Sequence, residues 1–466
     1  MLRISNLNWD IVEIFYLILI FIVGFAITMF IIPYVMKFMK KKGYIGIDIH
    51  KSSRPEVAES GGIALLIGIA CTSLLLIIFF PNFFNEILIF ILTVVVSGVI
   101  GFVDDRIRLK SRYKVILTIF TGILIFLANV YGFITIEAPT IPFLGKLRLN
   151  IIYPIVVPII VAVFANTVNM LEGYNGEGSG TAIIALISLF ICSILWDSAE
   201  GLLFTVVSLA VLIPFYFYNK FPARLFPGDV GTLSIGAIFA GIALFGSLEA
   251  AVFCALLIHI FNSFYVLYSV KGFFESSEIL GNKNDIIMLE NDQIKASDQK
   301  SAALTLPRLI LAKGPLREPD IIKNIYIISM VCGFISILTT LLMVITTRNQ
   351  DFTIFIIAGA IFVLITIIVL YFFPRIRGIV ILMVILIVVG YIYLICIELF
   401  IMPLNFIDIN IFGLIIPTNI LISLILVIPG LLAWYYITIK YFWFEIKKMK
   451  NSLRSNINSS TEAKKI

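Results

Sequence analysis

Long apolar runs recur from one end of this chain to the other, and they decide what it can fold into. A helix needs ~20 apolar residues to cross the hydrocarbon of a bilayer. Runs of that kind fall near 11–35, 61–80, 86–103, 113–131, 151–171, 181–197, 201–218, 232–246, 248–270, 322–347, 353–373, 378–401 and 413–440. The pattern predicts an all-α integral membrane protein, a polytopic bundle of about thirteen spans, give or take one or two. With 61% hydrophobic and 13% charged residues, no soluble core could enclose so much apolar surface. The first run is too long for a signal peptide and has no small-residue cleavage site, so it reads as the first span. The strand-like stretch 132–150 reads as an external hairpin. All 5 cysteines lie inside apolar runs, as small core residues do, and 2 histidines are too few for a multi-histidine zinc site.

Charge orients the bundle. With the N-terminus outside, all but four of the 34 Lys and Arg belong to cytoplasmic segments; the four are Arg3, Lys146, Arg148 and Arg348. That is the asymmetry of the positive-inside rule. It places the C-terminus inside, with 441–466 as a polar cytoplasmic tail drawn toward anionic headgroups.

The same topology gathers the irregular polar stretches on the cytoplasmic side. They are GIDIHKSSRPEVAESGG (46–62), DDRIRLKSRYK (104–114), NTVNMLEGYNGEGSG (166–180), FPARLFPGDVGT (221–232) and the long loop 271–321. Carboxylates and amide oxygens at an apolar boundary make a hard-oxygen site for Mg²⁺, which favours one or two protein ligands plus substrate phosphates. Lys and Arg beside them can neutralise phosphate oxygens, and glycine turns let the backbone approach a ligand. The set points to phosphoryl-group chemistry between a soluble donor and a lipid acceptor. A transporter or flippase of lipid-linked sugars is the alternative, but transporters place polar residues near the bilayer midplane, and these span interiors are nearly free of charge.

Each group also has an ordinary use. Asp104 and Asp105 could be a solvated helix end balanced by Arg106, Arg108 and Lys110. Asn166 and Asn169 could cap a helix or bond between helices, and Gly228-Asp229 could be a plain turn. Phe226 could pack at the interface, Lys114 could snorkel and His259 could be a satisfied structural histidine. Their convergence on one side favours a site.

The order DD…N-x-x-N…F-x-GD…H-x-x-N resembles the polyprenyl-phosphate N-acetylhexosamine-1-phosphate transferases. These membrane enzymes move a sugar 1-phosphate from a UDP-sugar to a polyprenyl phosphate and release UMP. NTVNMLEGYNGEGSG, HIFNSFY, LPRLILAKGPLRE and KSSRPEVAESGG are similar to segments of the eukaryotic and archaeal dolichyl-phosphate GlcNAc-1-phosphotransferase branch. The resemblance spans roughly 11–345 and implies a transferase core over 11–347, with added helices in 353–440. It implies Mg²⁺, or Mn²⁺ in its place, on Asp229 and Asn169. Asp104 and Asp105 match an essential pair, acting as a base or in electrostatic and metal-positioning roles, and Lys114 matches a phosphate-contacting lysine. Phe226 matches an aromatic that stacks on uracil, Asn175 lies near the nucleotide, and Glu59 and Asn166 match polar pocket positions. The implied partners are a UDP-N-acetylhexosamine, a polyprenyl or dolichyl phosphate, the bilayer and a second copy in a homodimer, with no nucleic acid. The implied location is an archaeal plasma membrane, or else the endoplasmic reticulum. Two departures stand out. The branch's arginine–histidine–arginine element is replaced by KSAALTLPRL, leaving Arg308, Lys313 and Arg317 as substitutes, and the family core has ten spans rather than thirteen.

Overall fold

The computed structural model describes residues 4, 9–147, 152–270, 285–299, 302–348, 351–401 and separate positions between 403 and 448. In chain order it has α1 (Ile11–Lys41), the hairpin strands β1 (Ile45–Ile47) and β2 (Glu56–Ala58), α2 (Gly62–Phe79), α3 (Phe84–Ile107) and α4 (Ser111–Val130). Then come β3 (Thr140–Ile141), β4 (Gly145–Lys146), α5 (Ile152–Leu171), α6 (Glu177–Trp196), α7 (Ala199–Asn219) and α8 (Gly228–Gly246). They are followed by α9 (Glu249–Ala255), α10 (Leu257–Val270), β5 (Ile286–Met288), β6 (Gln293–Ala296), α11 (Leu306–Leu311) and β7 (Leu316–Arg317). The remainder is α12 (Glu318–Arg348), α13 (Thr353–Phe372), α14 (Arg377–Cys396) and the strands β8 (Ile409–Ile411) and β9 (Leu414–Ile416).

Among the described residues 11 helices are long and apolar enough to cross a membrane, and α9 with α10 qualifies only as a pair bent by 68°. These account for twelve of the thirteen expected runs, and the chain is a multi-pass membrane protein. The thirteenth run, 413–440, is described only at separate positions: it opens on strand β9, paired with β8, and its described positions from 418 to 440 are helical. The expected hairpin in 132–150 is present as β3 and β4, and short hairpins occur in the polar loops as well.

Two compact units emerge: Met1–Phe264 with Ile325–Thr366, and Tyr265–Asn324 with Ile367–Ile466. In the first, α8 is the central helix, 89% buried over its most apolar stretch. Its sequence GDVGTLSIGAIFAGIALFG is rich in small residues, which let backbones close on one another without bulky side chains between them. A Cβ at Gly101 of α3 would collide with the Asp229 backbone, and one at Gly62 of α2 with the Gly231 backbone. This closeness brings the ends of α2, α3 and α5 to the start of α8.

Two expected boundaries move. The apolar runs end one span at 103 and begin another at 232; α3 instead runs to Ile107 and α8 starts at Gly228. Asp104, Asp105 and Asp229 therefore sit on helical turns, not in loops. Helix continues through these charges because each carboxylate finds a donor on another element.

In the second unit β5, β6 and β7 form an antiparallel sheet beside α11. Thr305 caps α11, accepting the Arg308 N–H at 3.3 Å and donating to Asp285 at 2.9 Å. Arg308 is fully buried.

Replacing Gly101 by Val should overpack the α3–α8 contact and cost about 1–3 kcal/mol. The check is thermal unfolding in detergent against Gly359→Val, whose glycine has nothing within 4 Å. A clear fall in midpoint for Gly101→Val alone is expected; equal midpoints would mean the contact is loose.

Candidate active site

One lysine holds two aspartates. After α3 the chain turns through Arg108 in left-handed conformation (φ 52°) and starts α4 at Ser111, which carries Lys114 back alongside Asp104. The Asp104 carboxylate steadies that turn by accepting the Leu109 N–H at 2.7 Å. The Lys114 ammonium pairs with Asp104 and also with Asp229 at 2.7 Å. The two acids differ in access: the Asp229 side chain is 29% exposed and that of Asp104 only 2%. Asp229 is thus the carboxylate an incoming group can reach.

Asp105 does a different job. It accepts the Asp229 backbone N–H at 2.7 Å and the Ser60 hydroxyl at 2.8 Å. A carboxylate on a first-turn N–H satisfies an orphan donor and suits the helix dipole. Gly228 beside it has φ +63°, and a Cβ there would strike the Asp105 carboxylate. Arg106 donates to Ser60 at 2.6 Å and stacks on the Tyr44 ring at 3.3 Å from its centroid.

The amides are placed by hydroxyls. Thr232, one turn beyond Asp229, donates to the Asn169 side-chain oxygen at 2.7 Å. Asn166 donates to Thr118 at 2.8 Å, and Thr118 donates in turn to the Lys114 carbonyl at 3.0 Å. Phe226 is tied by its backbone: its N–H donates to the Ala58 carbonyl at 2.8 Å, and its carbonyl accepts the Gly61 N–H at 2.8 Å. Glu59 lies between these contacts. Burial pushes its carboxyl above the usual range, and the negative charge of Asp105 adds to the push. Asn175 is held by another part of the same loop, donating to Asp48 at 2.9 Å. Burial alone would raise Asp48, but hydrogen bonds from Lys51 and Asn175 outweigh it and hold the carboxyl low.

Nine of the ten residues singled out in the sequence lie in the first unit. Asp104, Asp105, Lys114, Asp229, Asn169 and Asn166 form one linked cluster, with Glu59 and Phe226 on the strap beside it. Arg308 is the correction. Its five guanidinium N–H groups make five hydrogen bonds to the carbonyls of Ser297, Gln299, Ala302 and Ala303. A buried cation so engaged organises its own loop and has no donor left for a substrate. Ser60, Asp48, Thr118 and Thr232 were missed. Nothing in a single sequence marks a serine or threonine whose partner lies dozens of residues away.

Asp229 and Asn169 fit a Mg²⁺ ion chemically. They offer a carboxylate and an amide oxygen from adjacent helices, both hard donors. The surrounding acids Asp104, Asp105, Asp229 and Glu59 outnumber the bases Lys114, Arg106 and Arg108 by one, so a cation suits the local charge.

Residues 87–247 match the family model described as glycosyl transferase family 4, a stretch that contains every singled-out residue except Glu59 and Arg308. A protein of Methanocaldococcus jannaschii, named as a candidate glycosyltransferase, is 30% identical over 321 residues, covering 69% of this chain and 96% of its own. A Sulfolobus acidocaldarius protein, named as a candidate UDP-N-acetylglucosamine–dolichyl-phosphate N-acetylglucosaminephosphotransferase, is 31% identical over 239 residues, 50% of this chain and 72% of its own. A phospho-N-acetylmuramoyl-pentapeptide-transferase of Staphylococcus aureus is 30% identical over 274 residues, 55% of this chain and 84% of its own. The chain belongs to glycosyl transferase family 4 and is a membrane glycosyl-1-phosphate transferase of its dolichyl-phosphate branch.

Proposed function

We propose that this protein transfers N-acetylglucosamine 1-phosphate from UDP-N-acetylglucosamine to a polyprenyl or dolichyl phosphate and releases UMP. The product would be the first lipid-linked sugar of a glycosylation pathway, made at the cytoplasmic face of an archaeal plasma membrane. The observation that carries the reading is the lysine clasped between Asp104 and the more exposed Asp229. The names of the archaeal relatives support the choice of sugar and lipid.

In this reading an oxygen of the lipid phosphate attacks the β-phosphorus of the donor. The new P–O bond forms as the bond from the β-phosphorus to the bridging oxygen breaks, and UMP leaves with that oxygen. A lipid phosphate is already ionised near neutral pH, so the attack needs little help from a base. That agrees with the aspartates' partners: Asp104 is paired with Lys114, and Asp105 is spent on the Asp229 N–H and Ser60. Their work is to hold and orient. Lys114 can turn N–H groups toward phosphate oxygens while the carboxylates keep it charged. Mg²⁺ on Asp229 and Asn169 would supply charge neutralisation to the donor diphosphate. Phe226 would stack on uracil, and Asn175, Asn166 and Glu59 would meet the nucleotide and sugar.

Two measurements follow. Asp229→Asn, in folded protein, should lower UMP release from UDP-N-acetylglucosamine plus dolichyl phosphate by roughly 100-fold or more. Near-normal turnover would remove Asp229 from the reaction. Asp48→Ala frees the Asn175 amide, so KM for the UDP-sugar should rise about tenfold with kcat nearly kept. An unchanged KM would separate Asn175 from the nucleotide.

A further inference from the structure

A second cationic cluster lies in the unit formed by 265–324 and 367–466; it includes Lys313, expected from the sequence as a substitute substrate cation, which the proposed transfer does not use. Its anchor is Lys313, which follows α11. The Lys313 ammonium donates to the Pro374 carbonyl at 3.1 Å. Arg375 returns the contact, donating to the Gly314 carbonyl at 2.9 Å. Arg377 donates to the Leu370 carbonyl and, at 3.1 Å, to that of Tyr371. Glu445 lies 3.9 Å from Lys313, and Lys448 stands one turn beyond it in sequence. Asp320 faces Arg375. Four cations thus meet two acids.

Cations placed only to orient a membrane protein splay into water, where like charges part cheaply. Here backbone carbonyls pin Lys313, Arg375 and Arg377 close together. Burial pushes Lys313 below its ordinary value, and against the pull of Glu445 the charges of Lys448, Arg377 and Arg375 push it the same way. An anion seated among them would relieve that crowding.

The place says which anion. Residues 373–376 form the turn between α13 and α14, whose most apolar windows are only 6% and 17% buried. Helices so bare and so apolar face lipid, so the turn between them lies at headgroup level. We propose that Lys313, Arg375, Arg377 and Lys448 form a binding site for the phosphate of an anionic phospholipid headgroup. Each Lys or Arg near a charged membrane surface contributes on the order of 1 kcal/mol, a cumulative preference that a zwitterionic headgroup does not gain.

The test uses the full chain in nanodiscs of mixed phosphatidylcholine and phosphatidylglycerol, with retained lipids counted by native mass spectrometry. Wild type should keep phosphatidylglycerol preferentially. Arg375→Gln with Arg377→Gln should lose that preference roughly 10- to 30-fold. Arg375→Lys with Arg377→Lys should keep most of it. UMP release in phosphatidylcholine alone should be the same in all three. If the double glutamine variant does not fold, Lys448→Gln is read the same way, with a smaller loss. Equal retention by a folded glutamine variant overturns the proposal. So does displacement of the bound lipid by inorganic phosphate, which would make the site one for a free anion. The count needs no turnover, so its failure and that of the transferase reading are separate results.

Discussion

The ion pairs of Lys114 with Asp104 and Asp229 are the interaction on which the rest of the site depends. They join the end of α3, the start of α4 and the start of α8. Charged groups at a bilayer boundary are costly unless paired, and here each answers another. Removing either kind of partner leaves an uncompensated charge in a confined space. The bundle is built to permit the contact: glycine at 101 brings α3 against the Asp229 backbone, and Asp105 then locks that turn through its N–H.

The two neighbouring aspartates, alike in sequence, separate in structure by their partners. One residue along a helix is a rotation of about 100°. Asp104 therefore faces Lys114 and its own helix end, whereas Asp105 faces the Gly228–Asp229 turn and Ser60. One acid holds the lysine and the other braces the start of α8.

Much of this was legible in the sequence. Apolar runs gave the helices through α14, because span length is set by the bilayer and not by tertiary contacts. Polar residues at span ends gave the candidate site, since polar groups there call for a purpose that lipid-facing residues do not have. What stayed hidden depends on partners far apart in the chain. Span limits near Asp104 and Asp229 could not show that helix continues through them, because the donors that permit it lie on other elements. Arg308 looked like a substrate cation by its place in a polar loop; only the carbonyls around it reveal a cation spent on folding its own segment. The lipid-facing cluster was invisible for the same reason, with Lys313 and Arg375 joined across 62 positions of sequence through the 313–314 and 374–375 contacts.

The central claim is that a sugar and its phosphate move together to the lipid. The direct measurement is the fate of a radiolabel placed in the β-phosphate of UDP-N-acetylglucosamine, followed with purified protein, Mg²⁺ and dolichyl phosphate. The account predicts label in the lipid fraction and unlabelled UMP in solution, in equal amounts. Label remaining in soluble UDP while the sugar alone reaches lipid would contradict it.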